Sequence, residues 1–303
     1  MQRYNSSVIG KKSSVGVSSA SGIFSVNNAS DEQRNGDWPS LVSYFLLSNI
    51  TYDNTNFSLT SQDSEPLDVY LNTNGTKMYI LGSTNDKVFQ YSLSTAFDVS
   101  TASYDNVSVS VGSQEPSGRA IEFNPSGTKM YVVGTINDHV FQYSLSTAFD
   151  LSTASYDNKK IEITSQETAP QSCRFNTTGT KLFVLGNNND SVLQYSLTTA
   201  FDVSTASYDN VSFSVSSQDI LPRGFSFNQD GKRMYIVGSS TDKLYQYSLT
   251  TAFDLTTASY DNLNISLSSQ DNFPTCVFFN STNSKMYILG STSDKVYQYS
   301  TGL

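Results

Sequence analysis

The tripeptide Tyr-Asp-Asn begins at Tyr52, Tyr104, Tyr156, Tyr208 and Tyr260, a step of 52 residues with no insertion or deletion. Phe45, Phe97, Phe149, Phe201 and Phe253 keep the same step, as do Gln62, Gln114, Gln166, Gln218 and Gln270. Five copies of one unit therefore cover about residues 54–303. A period of this length is the mark of an array in which each unit buries a face against its neighbours. It overrules the two-domain prior that 303 residues would suggest.

Inside one copy the periodicity is two. Val211, Phe213 and Val215 alternate with Ser212, Ser214 and Ser216, the pattern of a half-buried strand. Residues 224–228 form a second strand ended by a turn at 229–231, and residues 234–238 are a continuous apolar run suited to burial on both faces. Residues 244–249 make a fourth strand, and a link without helical periodicity leads on to residue 261. Four short strands in about 50 residues describe a β-propeller blade. The fifth copy lacks its serine-alternating strand, and the first copy has a spare one at residues 56–60. Residues 55–61 are therefore expected to pair with 295–300 and close the ring, which removes the exposed sheet edge of an open array. The expected fold is all-β: a five-bladed β-propeller of four-stranded antiparallel blades over 54–303, preceded by an N-terminal arm over 1–53.

The formal net charge of −9 argues against nucleic acid as a partner, because phosphate contacts need clustered Lys and Arg. No apolar run is long enough to span a membrane, so no membrane insertion is expected. No apolar block follows Arg3, Lys11 and Lys12, so a secretory leader is not expected either. Cys173 and Cys276 make no disulfide framework and read as small buried residues on inner strands. With one histidine, His139, neither a His-based metal site nor Ser-His-Asp chemistry is expected, and no cofactor is implied. The Asn-x-Ser/Thr sequons, such as Asn106 and Asn210, follow from the repeated text.

Residues repeated in every copy read as fold maintenance. Asp86, Asp138, Asp190, Asp242 and Asp294 fall in a turn, and Asp63, Glu115, Glu167, Asp219 and Asp271 in the link to the next inner strand. Together they place ten acids on one face. The favoured reading is capping of backbone N–H groups, over a surface for cations. Gln90, Gln142, Gln194, Gln246 and Gln298 sit mid-strand, where a buried amide must be hydrogen-bonded and could tie each blade to the next.

Positions where the copies differ are freer to carry function. One inner-strand register holds Leu67, Arg119, Gln171, Arg223 and Thr275, and three residues on stand Tyr70, Glu122, Arg174, Ser226 and Phe278. The register Leu71, Phe123, Phe175, Phe227 and Phe279 reads as core. Asp68, Tyr70, Arg119, Glu122, Arg174 and Arg223 are expected at the wall or mouth of the central channel, as a polar pocket for a sugar or peptide or as ion pairs in a wet channel. Asp68 and Glu122 are the only inner-strand acids. Two carboxylates are the least that glycoside chemistry requires, and no third acid or histidine supports them, so no catalytic residue is assigned.

Residues 5–21 carry seven serines with Gly10 and Gly16, the composition of a flexible arm. A short helix is expected within 23–38, with Ser25 as N-cap, Gly36 after its end and Trp38-Pro39 stopping it. Ile23, Phe24, Val26 and Trp38 are large apolar side chains with few local partners, as in a segment that orders on docking. The stretch from Ser21 to Asn27, followed by Asn35-Gly-Asp-Trp-Pro39, resembles a short N-terminal module of virion structural and tail-appendage proteins of marine bacteriophages. The repeats are similar to propeller repeats in the same marine phage and bacterial sequences. That resemblance implies a non-enzymatic virion protein. Residues 1–40 would dock to other virion proteins in an oligomeric assembly, and the propeller would be displayed toward a host-surface glycan or protein. The alternative is a lectin-like propeller that is extracellular or at the cell surface.

Overall fold

Among the described residues, twenty strands make five four-stranded sheets, and every adjacent pair within a sheet is antiparallel. The computed structural model describes residues 47–303. The expected arm helix and the docking residues Ile23, Phe24, Val26 and Trp38 lie outside the described residues. The first blade is β2 (Pro66–Leu71), β3 (Lys77–Gly82), β4 (Lys87–Leu93) and β5 (Ala102–Ser110), in that spatial order from the inside outward. Strand β1 (Thr51–Ser58) is the outermost strand of the fifth blade and pairs with Lys295–Ser300, from Thr51 opposite Ser300 to Ser58 opposite Lys295. The ring closes as the chain-end arithmetic requires, and the closing strand starts at Thr51.

The outer strands also begin earlier than the alternation of serines indicates. Tyr104, Asp105 and Asn106 lie inside β5, where the register slips between Gln90 and Tyr91. Asn106 takes the left-handed conformation at φ 58°, as do Asn54, Asn158, Asn210 and Asn262, so this tripeptide is a β-bulge. The bulge aims its aspartate inward. Asp105 accepts from Lys77 Nζ at 2.6 Å, Ser92 Oγ at 2.6 Å and Gln90 Nε2 at 2.8 Å. At the seam Asp53 does the same for Lys285, Ser300 and Gln298, and these donors outweigh burial to hold its carboxyl below the usual range.

The middle-strand glutamines are the ties between blades. Gln90 Oε1 accepts from the backbone N–H of Leu151 at 2.9 Å, and Gln142 from Val203 at 3.1 Å. Gln194 holds Leu255, Gln246 holds Leu47, and Gln298 holds Val99. Four of the receiving N–H groups open short 3₁₀ turns capped by Asp98, Asp150, Asp202 and Asp254, each of which accepts from the N–H two residues on. Gly127 (φ 70°) sits under the ring of Phe149, where a Cβ would come within 2.3 Å of the ring. The buried acids in the links are caps. Asp63 accepts from the N–H groups of Glu65, Thr84 and Asn85, and Glu115 from Ser117, Ile136 and Asn137.

Candidate functional site

The inner strands β2, Gly118–Phe123, Pro170–Phe175, Pro222–Phe227 and Pro274–Phe279 surround the central axis. In each the ladder slips just after the first residue, for instance between Pro66 and Asp68. That slip matters, because residues three apart on an unbroken strand face opposite ways. With it, the Leu67 register and the Tyr70 register both reach the channel, at opposite ends. Five of the expected six are thereby divided between two cavities, Tyr70, Glu122 and Arg174 in one and Arg119 and Arg223 in the other, while Asp68 lines neither.

One cavity, of about 360 Å³, opens at the end where the inner strands finish. Its walls are aromatic, with Tyr70, Phe123, Phe175, Phe227, Phe278 and Phe279 from the inner strands and Phe201 and Phe253 from the links. Its inner-strand polar groups are Glu122, Arg174, Ser226 and Tyr70, and Thr73, Asn176, Thr177, Asn228, Gln229 and Ser281 line it beyond the strand ends. Tyr70 stands between the rings of Phe123 and Phe278, with centroids 4.9 and 5.0 Å away, and its hydroxyl makes no hydrogen bond to a described residue. The phenylalanines read from the sequence as pure core are thus also the cavity wall. The Phe201 and Phe253 register was visible in the repeat, but its left-handed backbone, which turns these rings toward the cavity, leaves no mark in periodicity.

Three residues from three successive blades form a buried charge cluster at this cavity's floor. Arg174 Nη2 is 3.3 Å from Asp68 Oδ1, and its Nη1 is 3.4 Å from Glu122 Oε2. Arg174 also donates to the carbonyls of Cys173 at 2.9 Å and Ile121 at 3.1 Å. Asp68, 2% exposed, accepts from the N–H groups of Val69 at 3.0 Å and Ile121 at 2.8 Å. It faces away from the cavity and holds Arg174 from behind, so it is not the second acid of a glycosidase pair. Cys173 and Cys276 are free and buried beside it, and burial pushes both thiols up.

Glu122 is the acid that meets the cavity. Burial pushes its carboxyl up to about 8, against the lowering charge of Arg174 and with an added push from Asp68. Its Oε2 is buried against the guanidinium, and neither oxygen accepts a hydrogen bond from a described residue. Burial works against the Arg174 charge, but Asp68 and Glu122 more than offset this and hold its pKa above the ordinary arginine value. Burial, then the charge of Glu122, keeps the Tyr70 phenol neutral. An acid poised near neutrality, a fixed cation behind it and a free phenol in an aromatic chamber form a site for acid–base work on a ring-sized molecule.

A family model described as lactonase, 7-bladed beta-propeller, matches residues 68–265. The chain belongs to this lactonase propeller family. The matched segment runs from Asp68 through the second and third inner strands, so Glu122 and Arg174 both fall within it. Membership overturns the reading drawn from Ser21–Asn27 and the Trp38-Pro39 motif: the chain is not a bacteriophage virion or tail-appendage protein. The non-enzymatic assignment, the adhesion and receptor-binding role, the lectin-like alternative and the virion location fall with it. The short N-terminal likeness covered few residues, while the repeats that carried the fold are shared by propellers of many functions.

This member builds five blades where the family is described with seven. Among solved structures, a putative 6-phosphogluconolactonase from Bacteroides uniformis aligns with a TM-score of 0.49 and 12% identity over 78% of this chain and 67% of its own. One from Bacteroides fragilis aligns with a TM-score of 0.46 and 14% identity over 66% of this chain and 55% of its own. The periplasmic gluconolactonase of Pseudomonas aeruginosa gives 0.44 and 15% over 66% and 53%. The chain spans little more than half the length of the last two. No curated protein matches.

Proposed function

We propose that the chain hydrolyses small lactones in the aromatic cavity, with Glu122 as general base. The observation that supports this most is Glu122 itself, a carboxyl open to a 360 Å³ chamber and backed by Arg174. It occurs in a chain of the lactonase propeller family. A chamber of this size suits one substituted ring, and phenylalanine faces suit the apolar face of such a ring. In the proposed reaction a water gives a proton to ionised Glu122 while its oxygen bonds to the ring carbonyl carbon. The negative charge then grows on the carbonyl oxygen, where the Tyr70 hydroxyl is the free donor and the Arg174 charge lies close behind. When the ring C–O bond breaks, Glu122 returns the proton to the leaving alkoxide. Water and lactone become one hydroxy acid. Asp68 is a positioning residue, since it faces away from the cavity, where Arg174, the backbone N–H groups of Val69 and Ile121 and the Cys276 thiol hold it.

The test is acid release from a panel of five- and six-membered lactones, followed at constant pH. The wild-type chain should accelerate at least one of them, with kcat/KM rising as pH climbs through about 8 as Glu122 ionises. Glu122→Gln should lose about 10²–10⁴ of that rate. A wild-type chain with no rate above buffer, or a Glu122→Gln variant as fast as wild type, overturns the proposal.

A further inference from the structure

The second cavity, about 190 Å³, lies at the opposite end of the inner strands and is lined by Glu65, Leu67, Arg119, Gln171, Arg223, Phe273, Thr275 and Ser291. It contains two of the three arginines of the inner strands, and neither has a carboxylate within ion-pair distance among the described residues. Glu65 stands exposed on the rim and pairs with neither. Arg223 is instead held by neutral groups. Its Nε donates to Ser239 Oγ at 3.0 Å, its Nη1 to Gln171 Oε1 at 3.2 Å, and its guanidinium lies over the Phe273 ring at 5.0 Å. Arg119 is anchored only through Nε, to Thr135 Oγ1 at 3.5 Å. Burial and then the charge of Arg119 lower the Arg223 pKa, against the smaller raising charge of Asp219, so the two guanidinium groups already feel one another.

Two like charges that share a half-buried cavity cost free energy unless something between them is negative. The repeat does not demand them, because the same register holds Leu67, Gln171 and Thr275 in the other blades. The anchoring contacts also leave donors over: both Nη groups of Arg119, and Nη2 of Arg223, make no hydrogen bond to a described residue. Held guanidinium groups with free N–H edges match the geometry of oxyanions. We propose that this second cavity binds a small oxyanion, of the phosphate or carboxylate class, between Arg119 and Arg223. The site is separated from the Glu122 cavity by the packed Asp68 and Arg174 layer, and it stands whether or not the Glu122 cavity hydrolyses lactones.

The experiment is calorimetric titration of the full chain, at low ionic strength, with inorganic phosphate and separately with acetate. Thermal melts are run at the same anion concentrations. Saturable binding of either anion and a rising melting temperature are expected. Stronger binding of phosphate would assign a phosphoryl ligand, and stronger binding of acetate a carboxylate. Arg119→Gln and Arg223→Gln should each weaken binding by about tenfold or more, and the melt of the double variant should no longer respond to the anion. Should the double variant fail to fold, Arg223→Lys keeps the charge but loses the fork, and should still weaken binding. Glu122→Gln, in the other cavity, should bind as wild type does. No binding by the wild-type chain at about 10 mM of either anion, or equal affinity in the arginine variants, overturns the assignment.

Discussion

Replacing Glu122 by Gln should make the protein more stable, and increasingly so as the solution becomes less acidic. Burial raises this carboxyl from its ordinary 4.5 to about 8. The native state therefore holds the Glu122 proton more tightly than the unfolded chain does. Stability falls with rising pH wherever the native state binds more protons. The loss begins near the unfolded value of about 4.5 and levels off above about 8. At about 1.4 kcal/mol per pH unit, it reaches about 3 kcal/mol at neutral pH and is under about 1 kcal/mol near pH 5. The amide side chain would have nearly the same shape as the carboxyl and no charge to desolvate, so this pH dependence should vanish in the variant. Paired urea melts of wild type and Glu122→Gln, taken from about pH 5 to pH 8, read the difference directly. In thermal melts near neutrality the variant should gain about 6–12 °C. The opposite outcome is instructive. A wild-type chain more stable than the variant at neutral pH would mean that Glu122 is an ionised partner of Arg174, and the case for a base poised near neutrality would fail.

Gln142→Leu should strip the buried Val203 N–H of its acceptor and Asp157 of a donor. A loss of about 2–3 kcal/mol is expected, visible as a drop in melting temperature without loss of the strand signal in circular dichroism. A chain starting at residue 61 lacks β1 and leaves the Lys295–Ser300 edge bare. Size-exclusion chromatography should then show self-association through that edge, and a well-behaved monomer would count against closure by β1.

The fold was legible because its instructions recur. Phe213 and Val215 have apolar counterparts at Phe57 and Leu59, Val109 and Val111, Ile161 and Ile163, and Ile265 and Leu267, so the strand count, and the closure by the spare strand at the start, could be read from spacing alone. The glutamine ties were legible for the same reason, since a mid-strand amide in each blade needs a partner. The site was legible only as a set of names. Arg119 and Glu122 are three residues apart and would face opposite ways on an unbroken strand, yet both reach the channel, one at each end, because a bulge shifts the ladder after Gly118. Nor does spacing reveal that Glu122 is buried against Arg174 from the next blade, the contact on which the proposed single-acid chemistry rests. Counting acids, with Asp68 as the second, looked for a pair where the structure has a single acid and a support. The Tyr-Asp-Asn tripeptide marks the period in the sequence. Its own task, a bulge aiming Asp105 at Lys77, Ser92 and Gln90, was signalled only by an asparagine able to adopt positive φ.

The glutamine ties have a consequence for how the chain is made. Within the array each tie joins residues 61 apart, as from Gln90 to Leu151, so a newly synthesised blade can clasp the preceding one as it emerges. The ties at Gln246 and Gln298 reach back 199 residues, to Leu47 and Val99. Loop closure over that span costs about 1 kcal/mol more than over the shorter one. Vectorial synthesis therefore builds an open arc first, with β1 unpaired. Lys295–Ser300, translated after every other described strand, is the one that turns the arc into a ring.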